Sequence, residues 1–151
     1  MASNIYPHDR RLFREENWPE SRWPSFSFKE EIACKETGTC YIDPDFMDSL
    51  QAMRNAIGKP LIITSGYRSP KHSIEAAKNR PGAHPTGKAV DIKCSGPWAH
   101  EVLRCLMAYG FTGIGVQQDG PHGDRFLHAD RITAEEGFHA PRASLWSYSN
   151  V

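Results

Sequence analysis

Three side chains raise the chemical question: His84 and Asp91, seven residues apart in "GAHPTGKAVD", and His128 in "RFLHADRI". Imidazole and carboxylate groups are the usual protein ligands of a catalytic zinc ion, which takes three of them and keeps a fourth position for water. His84, Asp91 and His128 would supply that set. Water on such an ion loses a proton near pH 7, which makes a hydroxide nucleophile available. Hydrolysis also needs a proton acceptor and a positive group for the developing oxyanion. Asp124 and His122 stand just ahead of His128, and Arg68 in "TSGYRSP" supplies a cation. The same spacings also fit a plainer reading, in which Asp91 caps a turn and His84 is a solvated loop residue.

The elements that would hold these residues are legible from pattern. "KAVDIKC" alternates, with Ala89, Asp91 and Lys93 on one face and Val90, Ile92 and Cys94 on the other, as a strand requires. "RFLHADRI" does the same and puts Phe126, His128 and Asp130 together. "PLIITS" and "TGIGV" read as two more strands, the latter joined to "RFLHADRI" by the Gly-containing "QQDGPHGD" as an antiparallel pair. Phe46, Leu50, Met53 and Ile57 recur at helical spacing after Asp43-Pro44 and stop at Gly58. A second helix, "WAHEVLRCLMAYG", places Ala99, Val102, Leu103, Leu106 and Met107 on its apolar face and ends at Gly110. Helices mixed with strands make this an α+β domain, a small mixed or antiparallel sheet packed with helices. Residues 1–25 read as an irregular arm whose aromatics pack onto a domain spanning residues 26–151. In the tail, Trp146 and Tyr148 share an alternating face and are expected to dock rather than act.

Composition narrows the partners. The chain has 151 residues, with 18 Lys plus Arg offset by 18 Asp plus Glu. It therefore lacks the overall basic field that draws proteins to nucleic acid, and no nucleic-acid partner is expected. No apolar run approaches the roughly 20 residues of a membrane helix, so no membrane insertion is expected. The polar start "MASNIYPHDRRLFREEN" has no apolar signal core, which predicts synthesis in the cytoplasm without a signal peptide. Four cysteines are too few for a disulfide scaffold. Cys94 and Cys105 read as core, while Cys34 and Cys40 stay open between a local disulfide, a metal half-site and plain thiols.

Taken in order and separation, "TSGYRSP", "HPTGKAVD" and "FLHAD" resemble the zinc D-Ala-D-Ala carboxypeptidase and endopeptidase family, especially its small single-domain branch. The likeness runs from about residue 26 to residue 132. His84, Gly87, Ala89 and Asp91 match the family pattern Ser-x-His-x-x-Gly-x-Ala-x-Asp. The resemblance implies a fold shared with the hedgehog signalling domain and one Zn²⁺ held by His84, Asp91 and His128. It also implies that Arg68 contacts a substrate carboxylate or the scissile carbonyl oxygen. Ser65 and Tyr67 lie beside it in the same segment as substrate-binding candidates.

Two positions depart from the family. Gly82 replaces the Ser two places before the first His, and Arg125 occupies the place three before the last His, where many relatives carry the acid or base. Asp124 is the preferred substitute and His122 the second. Asp130, on the same strand face as His128, stays open as a third base candidate or as a partner that holds the His128 ring. The implied activity is hydrolysis of a peptide bond in the stem or cross-link of bacterial peptidoglycan, by a monomeric, phage-type lysis or virion enzyme that acts on the wall after release. A cytoplasmic D-Ala-D-Ala dipeptidase is the rival within the class. A zinc-binding module without turnover and a structural part of a particle are the rivals outside it.

Overall fold

The computed structural model describes residues 5–6 and 12–148; residues 1–4 and 7–11 of the expected arm and 149–151 of the tail lie outside the described residues. Among the described residues five strands form one mixed sheet: β1 (Ile62–Ser65), β2 (Ala89–Lys93), β3 (Gly113–Gln117), β4 (Phe126–Asp130) and β5 (Ser144–Ser147). Their order is β1-β2-β4-β3-β5, antiparallel except for the parallel pair β3 and β5. With helices packed on it, the sheet has the expected α+β architecture.

Helix α1 (Pro44–Ile57) forms where its signals stand. The Asp43 carboxylate accepts from the Phe46 N–H at 2.9 Å, Pro44 sits in the first turn, and Gly58 closes the helix at φ 72°. Phe46, Met47, Leu50 and Met53 are its buried stripe. Helix α3 (Gly96–Ala108) ends in a Schellman turn, with Phe111 N–H donating to Leu106 C=O and Gly110 at φ 79°. Its stripe differs from the expected one. Cys105 joins Ala99, Val102 and Leu106 in the core, which turns Met107 outward to 65% exposure. A short helix α2 (Ser73–Ala76), which the sequence does not announce, lies between Arg68 and His84.

The core fills one face of the sheet. Ile63, Val90, Ile92, Ile114, Leu127 and Ala129 are buried in the same cluster as the stripes of α1 and α3. Trp18, Trp23 and Phe26 join that cluster, so the described aromatics of the N-terminal segment are packed. Cys94 and Cys105 are core residues as expected, and Cys34 and Cys40 are buried free thiols. Among the described residues no helix is long and apolar enough to cross a membrane.

The opposite face carries the polar groups, and register explains how. Ser65 pairs with Asp91, Asp91 with His128, His128 with Gly115, and Gly115 with Trp146. Residues directly opposite one another share a face, so this row crosses all five strands on the side away from the core. The next row joins Ala89, Asp130, Gly113 and Ser144.

Candidate metal centre

Asp91 and His128 face each other in adjacent strands, and His84 comes to them from a loop. That loop is a single 3-10 turn, His84–Thr86, closed by Gly87 at φ 77°. A side chain at Gly87 would be strained by that φ and would collide with the Tyr41 carbonyl, so glycine is required there twice over. The Gly87 carbonyl accepts from Asp43 N–H at 2.7 Å, which ties the turn to the start of α1. His84, Asp91 and His128 are all buried, and one ligand atom from each lies within 4.8 Å of the others.

Hydrogen bonding fixes which ring nitrogens point inward. His84 Nδ1 is 2.7 Å from the Gly66 carbonyl, which can only accept, so Nδ1 carries the proton and Nε2 presents a lone pair. His128 Nε2 donates to Asp130 Oδ2 at 2.8 Å, which leaves the lone pair on Nδ1. Both lone pairs face Asp91 Oδ1, each at 3.2 Å. Three acceptors thus converge on one point. Either each ring takes a second proton or a cation sits among them, and one divalent ion satisfies all three together. Zinc bonds of about 2.0–2.2 Å place tetrahedral ligand atoms roughly 3.3–3.6 Å apart, close to the two 3.2 Å separations from Asp91 Oδ1. The donor set fits zinc.

Where the rings take the second proton, attraction between them and the carboxylate sets the titration behaviour. Burial pushes the Asp91 carboxyl up, but His84 and His128 outweigh it and hold it far below the ordinary range. Burial pulls the His128 ring down, and Asp130 and Asp91 more than reverse this. Asp130 is fully buried and receives Arg142 through both oxygens, Nε to Oδ1 at 2.9 Å and Nη2 to Oδ2 at 2.8 Å. A carboxylate kept ionised in this way holds the His128 ring in one orientation and one tautomer.

Arg68 is placed with equal care. Its Nε donates to Ser65 Oγ at 3.1 Å, its Nη1 donates to Glu75 Oε2 at 3.1 Å, and its Nη2 stands 3.6 Å from Asp91 Oδ2. Glu75 is buried on α2, and also accepts from Lys78 Nζ at 3.0 Å and from the Gly82 N–H at 2.7 Å. The position without the family's Ser thus contributes a backbone donor. Tyr67 is buried against Tyr41.

The remaining candidates lie apart from this cluster. His122 and Asp124 form an exposed 3-10 turn. Asp124 lines a cavity with Gln117, Phe126 and Tyr148, adjoining the one that contains the triad. Arg125 donates through Nε to the Gly120 carbonyl at 3.0 Å. His72 caps α2 and pairs with Glu36.

Four residues of this site escape sequence reasoning: Glu75, Arg142, Trp146 and Tyr148. The tail docks as expected, but it also forms a wall of the triad's cavity. The Trp146 ring lies 5.3 Å from His128, with the Arg142 guanidinium over it at 4.9 Å. Gly113 and Gly115 were the available signal. A Cβ at Gly113 would collide with Asp130 and Arg142, and one at Gly115 would come within 2.6 Å of Trp146 and 2.7 Å of Tyr148.

Residues 24–130 match the family model described as Peptidase M15. No curated protein matches the chain.

Proposed function

This chain belongs to the peptidase M15 family, and from that premise we propose that it hydrolyses a peptide bond of bacterial peptidoglycan, in the stem or the cross-link and involving D-Ala. The family is zinc-dependent and acts on peptides, and the His84, Asp91 and His128 cluster can hold one metal ion. The observation that carries the reading is the convergence of two inward lone pairs and one carboxylate oxygen on a single buried point.

Zinc bound there supplies a water of lowered pKa and polarises the scissile carbonyl. The chain's own residues do the rest. His84 Nε2, Asp91 and His128 Nδ1 would hold the ion, while Gly66 and Asp130 keep the two rings from turning. Arg68, pinned by Ser65 and Glu75, offers its remaining N–H groups to negative charge on the substrate, as a carboxylate or as the carbonyl oxygen when charge develops on it. Ser65 and Tyr67 support that edge. Asp124 is our assignment for the group that accepts the proton and returns it to the leaving amine, with His122 next. Its exposed carboxylate lines the cavity that adjoins the triad's at Phe126 and Tyr148.

We assign the setting, a phage-type lysis or virion enzyme acting on the wall, on the likeness of its motifs to the small single-domain branch. A second reading has its own support: Arg125 stands where many relatives carry the acid or base, and Asp91 is the one carboxylate among the described residues lining the triad's cavity. That arrangement suits a zinc-binding module without turnover. Incubation with purified sacculi followed by mass spectrometry separates the two. An enzyme releases defined peptides that disappear in the His128→Ala variant, and a binding module releases none.

A further inference from the structure

We infer that the site takes a peptide extending to both sides of the metal centre, so that the bond it cuts is internal: the chain is an endopeptidase rather than a carboxypeptidase. This deepens the peptidase reading above and rests on it. The triad lies in a cavity of about 320 Å³. That cavity shares Arg68 and Ile74 with a second, of about 190 Å³, lined by Thr64, Ser65, Tyr67 and His72. It also shares Phe126 and Tyr148 with a third, of about 540 Å³, lined by Gln117, Asp119, Pro121 and Asp124. The triad's cavity therefore adjoins one cavity through Arg68 and Ile74 and another through Phe126 and Tyr148.

A carboxypeptidase needs the opposite arrangement. Its pocket ends just past the leaving residue, with a cation at the end wall to receive the terminal carboxylate. Here three cations among the described residues line the triad's cavity: Arg142 is committed to Asp130 through Nε and Nη2, Lys78 to Glu75, and Arg68, with Nε and Nη1 donated to Ser65 and Glu75, stands at the junction of two cavities. Space continues past it to Thr64. The aromatic pair Phe126 and Tyr148, with ring centroids 5.3 Å apart, borders both the triad's cavity and the third, which Asp119 also lines. An extended peptide advances about 3.3–3.6 Å per residue, so flanking residues on both sides of the scissile bond reach these outer cavities.

The test compares two substrates that share one D-Ala carbonyl: a monomeric stem peptide ending in free D-Ala-D-Ala, and a cross-linked dimer in which that carbonyl is joined to a neighbouring stem. We expect kcat/KM for the dimer to exceed that for the monomer at least tenfold. Thr64→Trp and Asp119→Trp, which fill one outer cavity each, should each lower the dimer's value toward the monomer's. Faster cleavage of the monomer, with the dimer left intact, overturns the proposal. Calorimetric binding of a reduced-amide dimer analogue gives a readout independent of turnover. If the analogue binds at least tenfold tighter than either half but no peptide is cut, the two-sided groove is upheld and the peptidase reading falls. If it binds no tighter than one half, the groove is refuted whatever the turnover.

Discussion

Arg142 and Asp130 meet as a two-point pair, Nε to Oδ1 at 2.9 Å and Nη2 to Oδ2 at 2.8 Å, in the space left by the absent side chain of Gly113. Asp130 in turn holds His128 at 2.8 Å, so a residue of the C-terminal segment sets the orientation of a proposed metal ligand.

Arg142→Ala leaves a buried carboxylate without its cation. We expect a loss of about 3–5 kcal/mol in stability, typical of breaking a buried ion pair, and a 10–100-fold loss of zinc affinity, typical of removing a ligand's hydrogen-bonding support. Arg142→Lys keeps the charge but not the paired geometry, and falls between the two. Urea denaturation and competition against a chelator measure the two effects separately.

Glu75 gives a pH signature. Burial pushes its carboxyl up, but the Gly82 N–H, Lys78 and Arg68 outweigh it and hold it below its ordinary value. A folded-state pKa below the unfolded value of about 4.3 contributes stability above that pH, and the contribution disappears as the pH falls through the folded value. Glu75→Gln should therefore be less stable than the native protein near neutral pH, by about 3–5 kcal/mol. The gap narrows below about pH 4. Thermal unfolding across that range checks it, and a gap independent of pH would contradict it.

Arg68→Ala removes the pinned cation beside Asp91. If it stabilises charge developing on the carbonyl oxygen, kcat falls by roughly 10²–10³, as for loss of one such donor. If it only binds a substrate carboxylate, KM rises and kcat holds. Steady-state kinetics on the cross-linked dimer tell these apart.

Gly115→Ala tests the tail as part of the site. The added methyl would lie 2.6 Å from Trp146 Nε1 and 2.7 Å from Tyr148 Cε2, so both rings must shift. We expect altered Trp fluorescence and a tenfold or greater drop in kcat/KM, with zinc content retained because His128 keeps Asp130. Unchanged kinetics would show that the aromatic wall does not touch substrate.

Much of the site was legible because its elements obey local rules. The two-residue alternation of β2 and β4 alone puts Asp91, His128 and Asp130 on single faces, and Asp43, Pro44 and Gly58 delimit α1 by capping chemistry. What was not legible depends on distant partners. Glu75 sits in a four-residue helix without periodicity, and its role comes from Arg68, Lys78 and Gly82, which only the folded loop assembles. The alternation at Trp146 and Tyr148 was visible, but nothing local says that their strand pairs in parallel with β3. Met107 lies outside because the buried stripe of α3 centres on Ala99, Val102 and Leu106 and extends to Cys105, on the side away from it.

The most direct test of the central claim is zinc content per chain, by plasma mass spectrometry, in the native protein and in His84→Ala and His128→Ala variants shown by circular dichroism to be folded. With one ion held by His84, Asp91 and His128, the native protein carries one zinc per chain and each variant loses it. Zinc content unchanged by both substitutions would contradict the account.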